Sequence, residues 1–559
     1  MLSENINKFK LMSANRLLIL VTLYIVIVNN NTLWSTFWTA LGENPQSHLF
    51  FVISFVMFIM VMTLMLLSLF SFTHIIKPVA IIALMSSSIV AYYIDNMHVI
   101  FSVSMMQNVF ETNAREASDL FNLAILTQVT IFGVLPSILV WLVKINRKTV
   151  PAEFISRIKL LSVSLLVVAL TIFWTYKEYT LVLRENRELS YMVNPVFPVV
   201  SLVKYGRSLN KEKNRSVAPV FNDASRYSIV KNDQKKNLLI MVVGETARAE
   251  NFSLNGYARE TNPQLKKLDI INYPNTSSCG TATAKSVPCM FSDLTKNDFS
   301  VSDAKQRENL LDGFSNAGIS VLWRDNNSSC KGVCARVESE SLLDFKVEDL
   351  CNEDGCRDEI LLYKLDEYVN SLDNDTVIVL HQMGSHGPAY YKRYPAEFEK
   401  FTPACDVSSV HNCKQQEIVN AYDNTILYTD YFLSKVIDYL KVRSDRFNTA
   451  MIYMSDHGES LGENGIYLHG LPNFMAPHQQ THVPFIVWLS DSIRHQNQVD
   501  IACLKDNSQH PYSHDNLVHS ALGLMNVSTA VYEQSKDVFA ACSKSKIATR
   551  SSPLKSGSS

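Results

Sequence analysis

Five long apolar stretches crowd the first third of the chain, at roughly Leu17–Leu41, Leu49–Phe72, Ile76–Ile94, Leu120–Val143 and Ile158–Tyr176. Each is long enough to cross a bilayer as a helix, which takes about 20 predominantly apolar residues. The first is interrupted by Asn29, Asn30 and Asn31, whose amides are expected to face protein or the membrane interface rather than lipid. Further apolar runs follow closely and no small-residue cleavage site is visible, so the first stretch reads as an uncleaved anchor, not a signal peptide. From Asn237 the pattern changes to short apolar runs alternating with helical stretches, as in an α/β domain. Between these halves, Lys177–Lys213 mixes apolar with charged residues and is broken by Pro195 and Pro198, which fits an interfacial helix or linker. The polar run Asn214–Lys236 reads as a tether. The expected organisation is a five-helix transmembrane domain at 1–177, an interfacial helix and linker at 178–236, a soluble α/β domain at 237–548 and a disordered tail at 549–559.

Charge sets the expected orientation. Lys8, Lys10 and Arg16 precede the first span, Lys77 lies between the second and third, and Lys144, Arg147, Lys148, Arg157 and Lys159 fill the turn between the fourth and fifth. The loops Gly42–Ser47 and Asp95–Asp119 carry mostly acidic charge. The positive-inside rule then puts the N-terminus in the cytoplasm and the soluble half outside. Cysteine usage agrees independently. All ten cysteines of the 559 residues lie after residue 278, where an oxidising compartment would allow them to pair. Spacing suggests Cys279 with Cys289, Cys330 with Cys334, Cys351 with Cys356 and Cys405 with Cys413, leaving Cys503 and Cys542 as a longer pair. Buried free thiols or a zinc cluster are the alternatives, but no CxxC repeat of structural-zinc spacing is present. A net charge of -2 and the lack of a basic stripe argue against a nucleic-acid partner.

Three apolar runs of the second half end in residues that can bind metal. Leu238–Val243 leads into Gly244-Glu245-Thr246, Thr376–Leu380 into His381 and Gly384-Ser385-His386-Gly387-Pro388, and Thr449–Met454 into Ser455-Asp456-His457-Gly458-Glu459. Runs this apolar suit strands buried on both faces, and in open parallel sheets ligands bind beyond the carboxyl ends of the strands. Singly each motif is weak, because an Asp-His after a strand is commonly a turn and a Glu after a glycine can cap a helix. Together they would assemble carboxylate oxygens and imidazole nitrogens, a donor set that suits zinc or manganese better than calcium. The segment Cys279–Cys289 supplies a candidate nucleophile. If bridged, it becomes a ring presenting Thr281 and Thr283, and a threonine hydroxyl gains nucleophilicity when a metal lowers its pKa. Otherwise it is a stapled turn with locally hydrogen-bonded threonines.

The segments Gly244–Arg248, Cys279–Ser292, Trp323–Asn327, Gly384–Pro388 with Arg393-Tyr394-Pro395, and Ser455–Gly462 occur in the order found in membrane-anchored phosphoethanolamine transferases that modify lipid A, and the chain resembles that family over nearly its whole length. The resemblance implies a five-span α-helical membrane domain carrying a periplasmic α/β domain of alkaline-phosphatase/sulfatase-like fold. It implies that Glu245, Asp456, His457 and the Thr283 hydroxyl bind one zinc, that Thr283 is the nucleophile with Thr281 the alternative, and that His386 and His469 contact the phosphoryl group, a second zinc, or both. Lys331 matches a substrate-contacting lysine. Asn108, Thr112 and Glu116 share one helical face by their i, i+4, i+8 spacing, as the wet face of an amphipathic helix would, and match positions that hold the ethanolamine headgroup. The implied reaction moves phosphoethanolamine from phosphatidylethanolamine to a lipid A phosphate through a covalent threonine intermediate, lowering surface negative charge and conferring polymyxin resistance. A monomer in the bacterial inner membrane is expected.

Two rivals stay open. A related transferase could use a core sugar or glucan as acceptor, or carry glycerophosphate; a non-enzymatic membrane sensor or scaffold would need a degenerate site. His478 and His482 stand between a place at the site entrance and a solvated loop. Asp423 and Asp430, on an apparent helix at Tyr422–Leu433, read as its polar face or as support behind the site.

Overall fold

A computed structural model describes residues 12–41, 48–71, 75–112, 117–118, 120, 121–146, 149–212, 216–227, 235–343, 345–352, 354–408 and 410–544. The chain divides into two compact units, Met1–Met106 with Phe121–Gly206, and Gln107–Leu120 with Arg207–Ser559. Glu116 and the 549–559 tail lie outside the described residues.

In the first unit, α3 (Leu49–Phe70), α4 (Ile76–Met97), α6 (Leu123–Leu142) and α7 (Val150–Trp174) are each long and apolar enough to cross a bilayer, and α1 (Ala14–Val28) with α2 (Asn31–Ala40) is so only as a pair, bent by 63°. α5 (Val103–Glu111) lies between α4 and α6 in the chain. The bend falls on the asparagine run, whose broken backbone needs partners that lipid cannot give. Asn194 supplies several of them: its Nδ2 donates to Asn29 O at 2.9 Å and Ser87 O at 2.8 Å, while Asn30 Nδ2 donates to Asn194 O at 3.0 Å. At the start of α2, the Thr32 amide and hydroxyl donate to Asp95 Oδ1 at 3.0 and 2.7 Å. The amides therefore face protein.

Two expectations shift. α7 begins at Val150, with Pro151 in its first turn, rather than near residue 158. Arg157 is thus a buried helical residue and not a loop charge: it pairs with Glu153 at 3.1 Å and donates to Ser71 O at 2.9 Å. Beyond α7, the helix α8 (Tyr176–Glu185) places Tyr179 and Val182 in an apolar cluster with Phe37, Phe51 and Phe55, so this stretch belongs to the first unit.

The second unit is built on an eight-stranded sheet. In chain order its strands are β1 (Lys236–Gly244), β2 (Ile270–Ser277), β3 (Ser320–Asp325), β4 (Glu338–Ser341), β5 (Thr376–His381), β6 (Phe447–Ser455), β7 (His482–Leu489) and β8 (Tyr512–Ser513). Their spatial order is β8-β2-β7-β6-β1-β5-β3-β4, and only β7 runs against its neighbours. Alternate residues of β1 enter opposite cores, Leu239, Met241 and Val243 on one face and Leu238, Ile240 and Val242 on the other, which explains its unbroken apolar run. Ser455 registers with Gly244, His381 with Val243 and Asp325 with His381, so four strands end on one level at one edge.

The expected tether is partly packed. Phe221 is fully buried in the sheet's core, its amide and that of Val220 donate to Glu308 Oε2 at 2.7 and 2.9 Å, and Ser225–Arg226 pairs with Val527–Ser528. A fully buried phenyl ring outweighs the polar composition around it. Phe221→Ala should destabilise the second unit by about 3–5 kcal/mol, seen as a lower urea midpoint for the purified protein. An unchanged midpoint would mean that residues 216–227 are a free tether.

Candidate active site

Each strand end delivers one part of a buried polar cluster. Glu245 follows β1 directly and Asp456-His457 follow β6, its parallel neighbour, so the two carboxylates and the imidazole meet without any long excursion. All three side chains are fully buried, and one ligand atom from each lies within 4.8 Å of the others. Thr283 comes from the turn after β2, where it opens the helix α9 (Thr283–Met290). Its hydroxyl lies 3.1 and 3.2 Å from the two Glu245 oxygens and 3.3 Å from His457 Nε2.

The atoms left over fit a divalent cation. His457 Nδ1 sits 2.9 Å from its neighbour's carbonyl, Gly458 O, which makes that nitrogen the N–H donor and leaves the Nε2 lone pair facing the cluster. Asp456 Oδ1 accepts from the amides of Thr246 and His457, at 3.2 and 2.7 Å, while the buried Oδ2 accepts no hydrogen bond among the described residues. Burial pushes the Asp456 carboxyl above the usual carboxylate range, and burial together with His469 pushes the His457 imidazole well down. Two carboxylates and a neutral imidazole in a dry site form an incomplete electrostatic arrangement that a dication completes. Two oxygen donors, one nitrogen and a hydroxyl match zinc.

The surrounding loops hold these groups in place. Gly384 has φ +53°, and a Cβ there would sit 2.7 Å from Glu245 O, so the loop after β5 can approach β1 only with glycine at this position. The Ser385 amide donates to the same carbonyl at 3.0 Å. Buried Asp358 accepts from the amides of Met383 and Gly384 at 2.8 and 3.0 Å, fixing that loop from behind. The long helix α10 (Gln415–Val442) reaches the cluster through Tyr422, whose hydroxyl donates to Thr246 O at 2.7 Å and accepts from the Arg248 amide at 2.9 Å.

Most of the residues expected from sequence come together. His457 and His469 have ring centroids 4.4 Å apart, and His386 and His469 5.6 Å. His469 Nδ1 lies 3.3 Å from Glu459 Oε2, while half-buried His386 carries a buried Nδ1 with no hydrogen-bond partner among the described residues and is shifted well below the ordinary histidine range by burial and by His469. The Thr281 hydroxyl instead donates to Leu471 O. Lys331 Nζ donates to Ser328 Oγ at 2.9 Å and lies 3.6 Å from Glu111 Oε2, on the part of α5 that groups with this unit. Asn108 and Thr112 do share a helical turn, but the Thr112 hydroxyl donates to Asn108 O at 2.6 Å. All ten cysteines are bridged in the five pairs that spacing suggests.

Sequence reasoning left several supports open or missed them. Of the two readings of Asp423 and Asp430, a helix's polar face or support behind the site, the structure favours support. Both are buried: Asp423 accepts from Asn251, Tyr257 and Arg259, and Asp430 from the amides of Gln264 and Leu265. They anchor the 251–265 segment. Asn327 went unassigned, yet its Nδ2 donates to Glu245 Oε2 and to Gln382 O, both at 2.8 Å. Glu459, behind His469, went unassigned as well. The signal for both was adjacency, since Asn327 follows the end of β3 and Glu459 follows Asp456-His457.

Comparison with known proteins gives the same picture. A family model described as sulfatase matches residues 237–527, and one described as phosphoethanolamine transferase EptA/EptB matches residues 59–209. Phosphoethanolamine transferase EptA of Escherichia coli K12 is 42% identical over 478 residues, covering 85% of this chain and 87% of that protein. Phosphatidylethanolamine transferase Mcr-2 of Escherichia coli is 39% identical over 498 residues, 87% of this chain and 91% of that one. The solved integral membrane lipooligosaccharide phosphoethanolamine transferase A of Neisseria meningitidis superposes with a TM-score of 0.91 at 34% identity, covering 96% of this chain and 99% of its own.

Asn327→Ala should weaken divalent-cation binding at Glu245, Asp456 and His457 by roughly 10- to 100-fold, because it frees Glu245 from the donor that orients it. Zinc titration of the chelator-stripped protein measures this, and an unaltered affinity would remove Asn327 from the site.

Proposed function

The chain belongs to the EptA/Mcr family of phosphoethanolamine transferases, and on that premise we propose that it transfers phosphoethanolamine from phosphatidylethanolamine to a phosphate of lipid A, with Thr283 carrying the group between them. The observation that carries the reading is the placement of the Thr283 hydroxyl against both Glu245 oxygens and His457 Nε2. A threonine used only for structure has no need of a buried carboxylate pair and an imidazole lone pair.

Glu245, Asp456, His457 and Thr283 would hold one zinc. Bound there, zinc supplies Lewis acidity that lowers the pKa of the threonine hydroxyl and offsets charge on the phosphoryl oxygens. Glu245 orients the hydroxyl and accepts its proton as the Thr283 oxygen attacks the phosphorus of phosphatidylethanolamine in line. The bond from phosphorus to the diacylglycerol oxygen breaks as the bond to Thr283 forms. His469, held by Glu459, hands a proton to the departing alkoxide, while His386, whose imidazole is held well below the usual range by desolvation and the neighbouring His469, positions a phosphoryl oxygen. In the second half, an oxygen of the lipid A phosphate attacks the same phosphorus, the Thr283 oxygen leaves and takes its proton back from Glu245, and His469 regains a proton from solvent. The Lys331 ammonium is a partner for phosphate oxygens, and Asn108, Thr112 and Glu116 serve the ethanolamine headgroup.

The membrane spans, the five disulfides and the basic residues Lys8, Lys10 and Arg16 support an inner-membrane protein whose N-terminus is cytoplasmic and whose catalytic domain is periplasmic. One chain supplies the whole residue set, which supports a monomer. Capping a lipid A phosphate with an ethanolamine cation lowers surface negative charge, and with it the attraction of cationic polymyxins.

Thr283→Ala should lower lipid A modification by about 10³-fold or more while leaving the fold intact, as read by mass spectrometry of lipid A from cells expressing each form. Glu245→Gln or Asp456→Asn should lose zinc and activity together. Wild-type modification by Thr283→Ala would refute the nucleophile, and full activity in thoroughly metal-stripped protein would refute the zinc chemistry.

A further inference from the structure

A separate set of ligand-type side chains lies outside that site. Glu250 belongs to the short turn Ala249–Asn251, His478 opens the turn His478–Gln480, and His482 begins β7. One ligand atom from each lies within 4.8 Å of the other two, and the imidazole centroids are 4.5 Å apart. His482 Nε2 sits 2.6 Å from Pro274 O, a carbonyl that can only accept, so Nε2 carries the hydrogen and Nδ1 the lone pair. That Nδ1 is buried and has no hydrogen-bond partner among the described residues. Glu250 presents Oε1 to His478 Nδ1 at 3.1 Å and keeps Oε2 on Arg248 Nη2 at 3.1 Å, which fixes the orientation of the carboxylate. A simple ion pair accounts for His478 and Glu250 but leaves the buried lone pair of His482 unexplained. An imidazole that donates from one nitrogen to a backbone carbonyl while the other nitrogen is open is the usual arrangement of a metal-ligating histidine.

We propose that Glu250, His478 and His482 form a binding site for a divalent transition-metal ion, distinct from the Glu245, Asp456 and His457 cluster, with zinc as its fitting occupant. Two imidazole nitrogens and one carboxylate oxygen suit zinc, water completing a tetrahedron, and do not suit calcium or magnesium, which take oxygen ligands. The ion would join two separate segments of the fold. The 478–482 segment already rests on the end of β6: the amides of Gly458 and Glu459 donate to Gln480 O and Gln479 O, both at 3.0 Å, and a Cβ on Gly458 would collide with the Gln479 carbonyl. The loop leading into it carries Leu471, whose carbonyl takes the Thr281 hydroxyl, and Asn473, whose Nδ2 donates to Cys279 O at 2.9 Å. An ion on Glu250, His478 and His482 therefore pins the loop that braces the threonine turn, and takes no part in the chemistry itself.

The test is zinc stoichiometry of the full chain in detergent, stripped with chelator, reloaded with zinc sulfate and desalted before elemental analysis. His478→Ala removes a side chain that is 67% exposed, so the fold should tolerate it. Wild type should retain one zinc per chain more than His478→Ala, and Glu250→Gln and His482→Ala should show the same loss. The same difference should appear in an Asp456→Asn background, which separates this site from the proposed catalytic zinc. Equal zinc content in wild type and His478→Ala, in either background, would overturn the proposal.

Discussion

Two carboxylates buried side by side at the end of a sheet are the constraint around which the rest of the soluble unit is arranged. An ionised carboxylate loses several kcal/mol of solvation on burial, and here Glu245 and Asp456 are both fully buried, each with a ligand oxygen within 4.8 Å of the other and of the His457 imidazole. Asn327, the Thr246 amide and the His457 amide offset part of that loss as neutral donors. What they leave is a directed deficit: an unsatisfied Asp456 oxygen, a His457 lone pair and a threonine hydroxyl that converge on one point. A dication held there, as proposed above, would offset this deficit and so couple metal affinity to the stability of this unit.

The sheet makes the arrangement possible because parallel neighbours end on the same level. β1 and β6 are adjacent and in register to their last residues, so Glu245 and Asp456 meet by backbone geometry alone. This much was legible in the sequence: short unbroken apolar runs suit strands covered on both faces, and in a parallel sheet the residues directly after such strands gather at one edge. The cysteine pairs were legible for a similar reason, since close spacing leaves few partners. The supports were not. Asn327 and Glu459 act through one hydrogen bond each to a residue distant in sequence, and no periodicity marks such a contact. Asp423 and Asp430 stood open between a helix's polar face and a supporting role because the donors that satisfy them, Arg259 and the amides at Gln264 and Leu265, come from a loop that composition does not place.

The membrane unit shows the same limit. Hydropathy located the spans and flagged the asparagine run, but it could not say that Asn194, far along the chain, would satisfy the freed backbone at the bend. Arg157 misled for a related reason. A charge near the end of an apolar run reads as loop, whereas Glu153 one turn earlier neutralises it and lets the helix continue outward. In both cases a polar group that seems to end a span is instead paired inside one.

The stapled turn explains how a short helix can carry demanding geometry. α9 has eight residues with Pro288 inside it, too few for an independent helix, and isolated helices are marginal below about 12–15 residues. The Cys279–Cys289 bridge closes a loop of sequence separation 10, which in the chain-entropy account removes roughly 2–3 kcal/mol of unfolded-state freedom. Thr281, inside the ring, is tied to Leu471, so the turn is held from within and from the neighbouring loop. The Thr283 oxygen then has little room to leave Glu245 and His457. For the proposed Thr283 nucleophile, a position set before substrate arrives would need no further ordering at the moment of attack, and this saved reorganisation is what a rigid threonine turn would bring to group transfer.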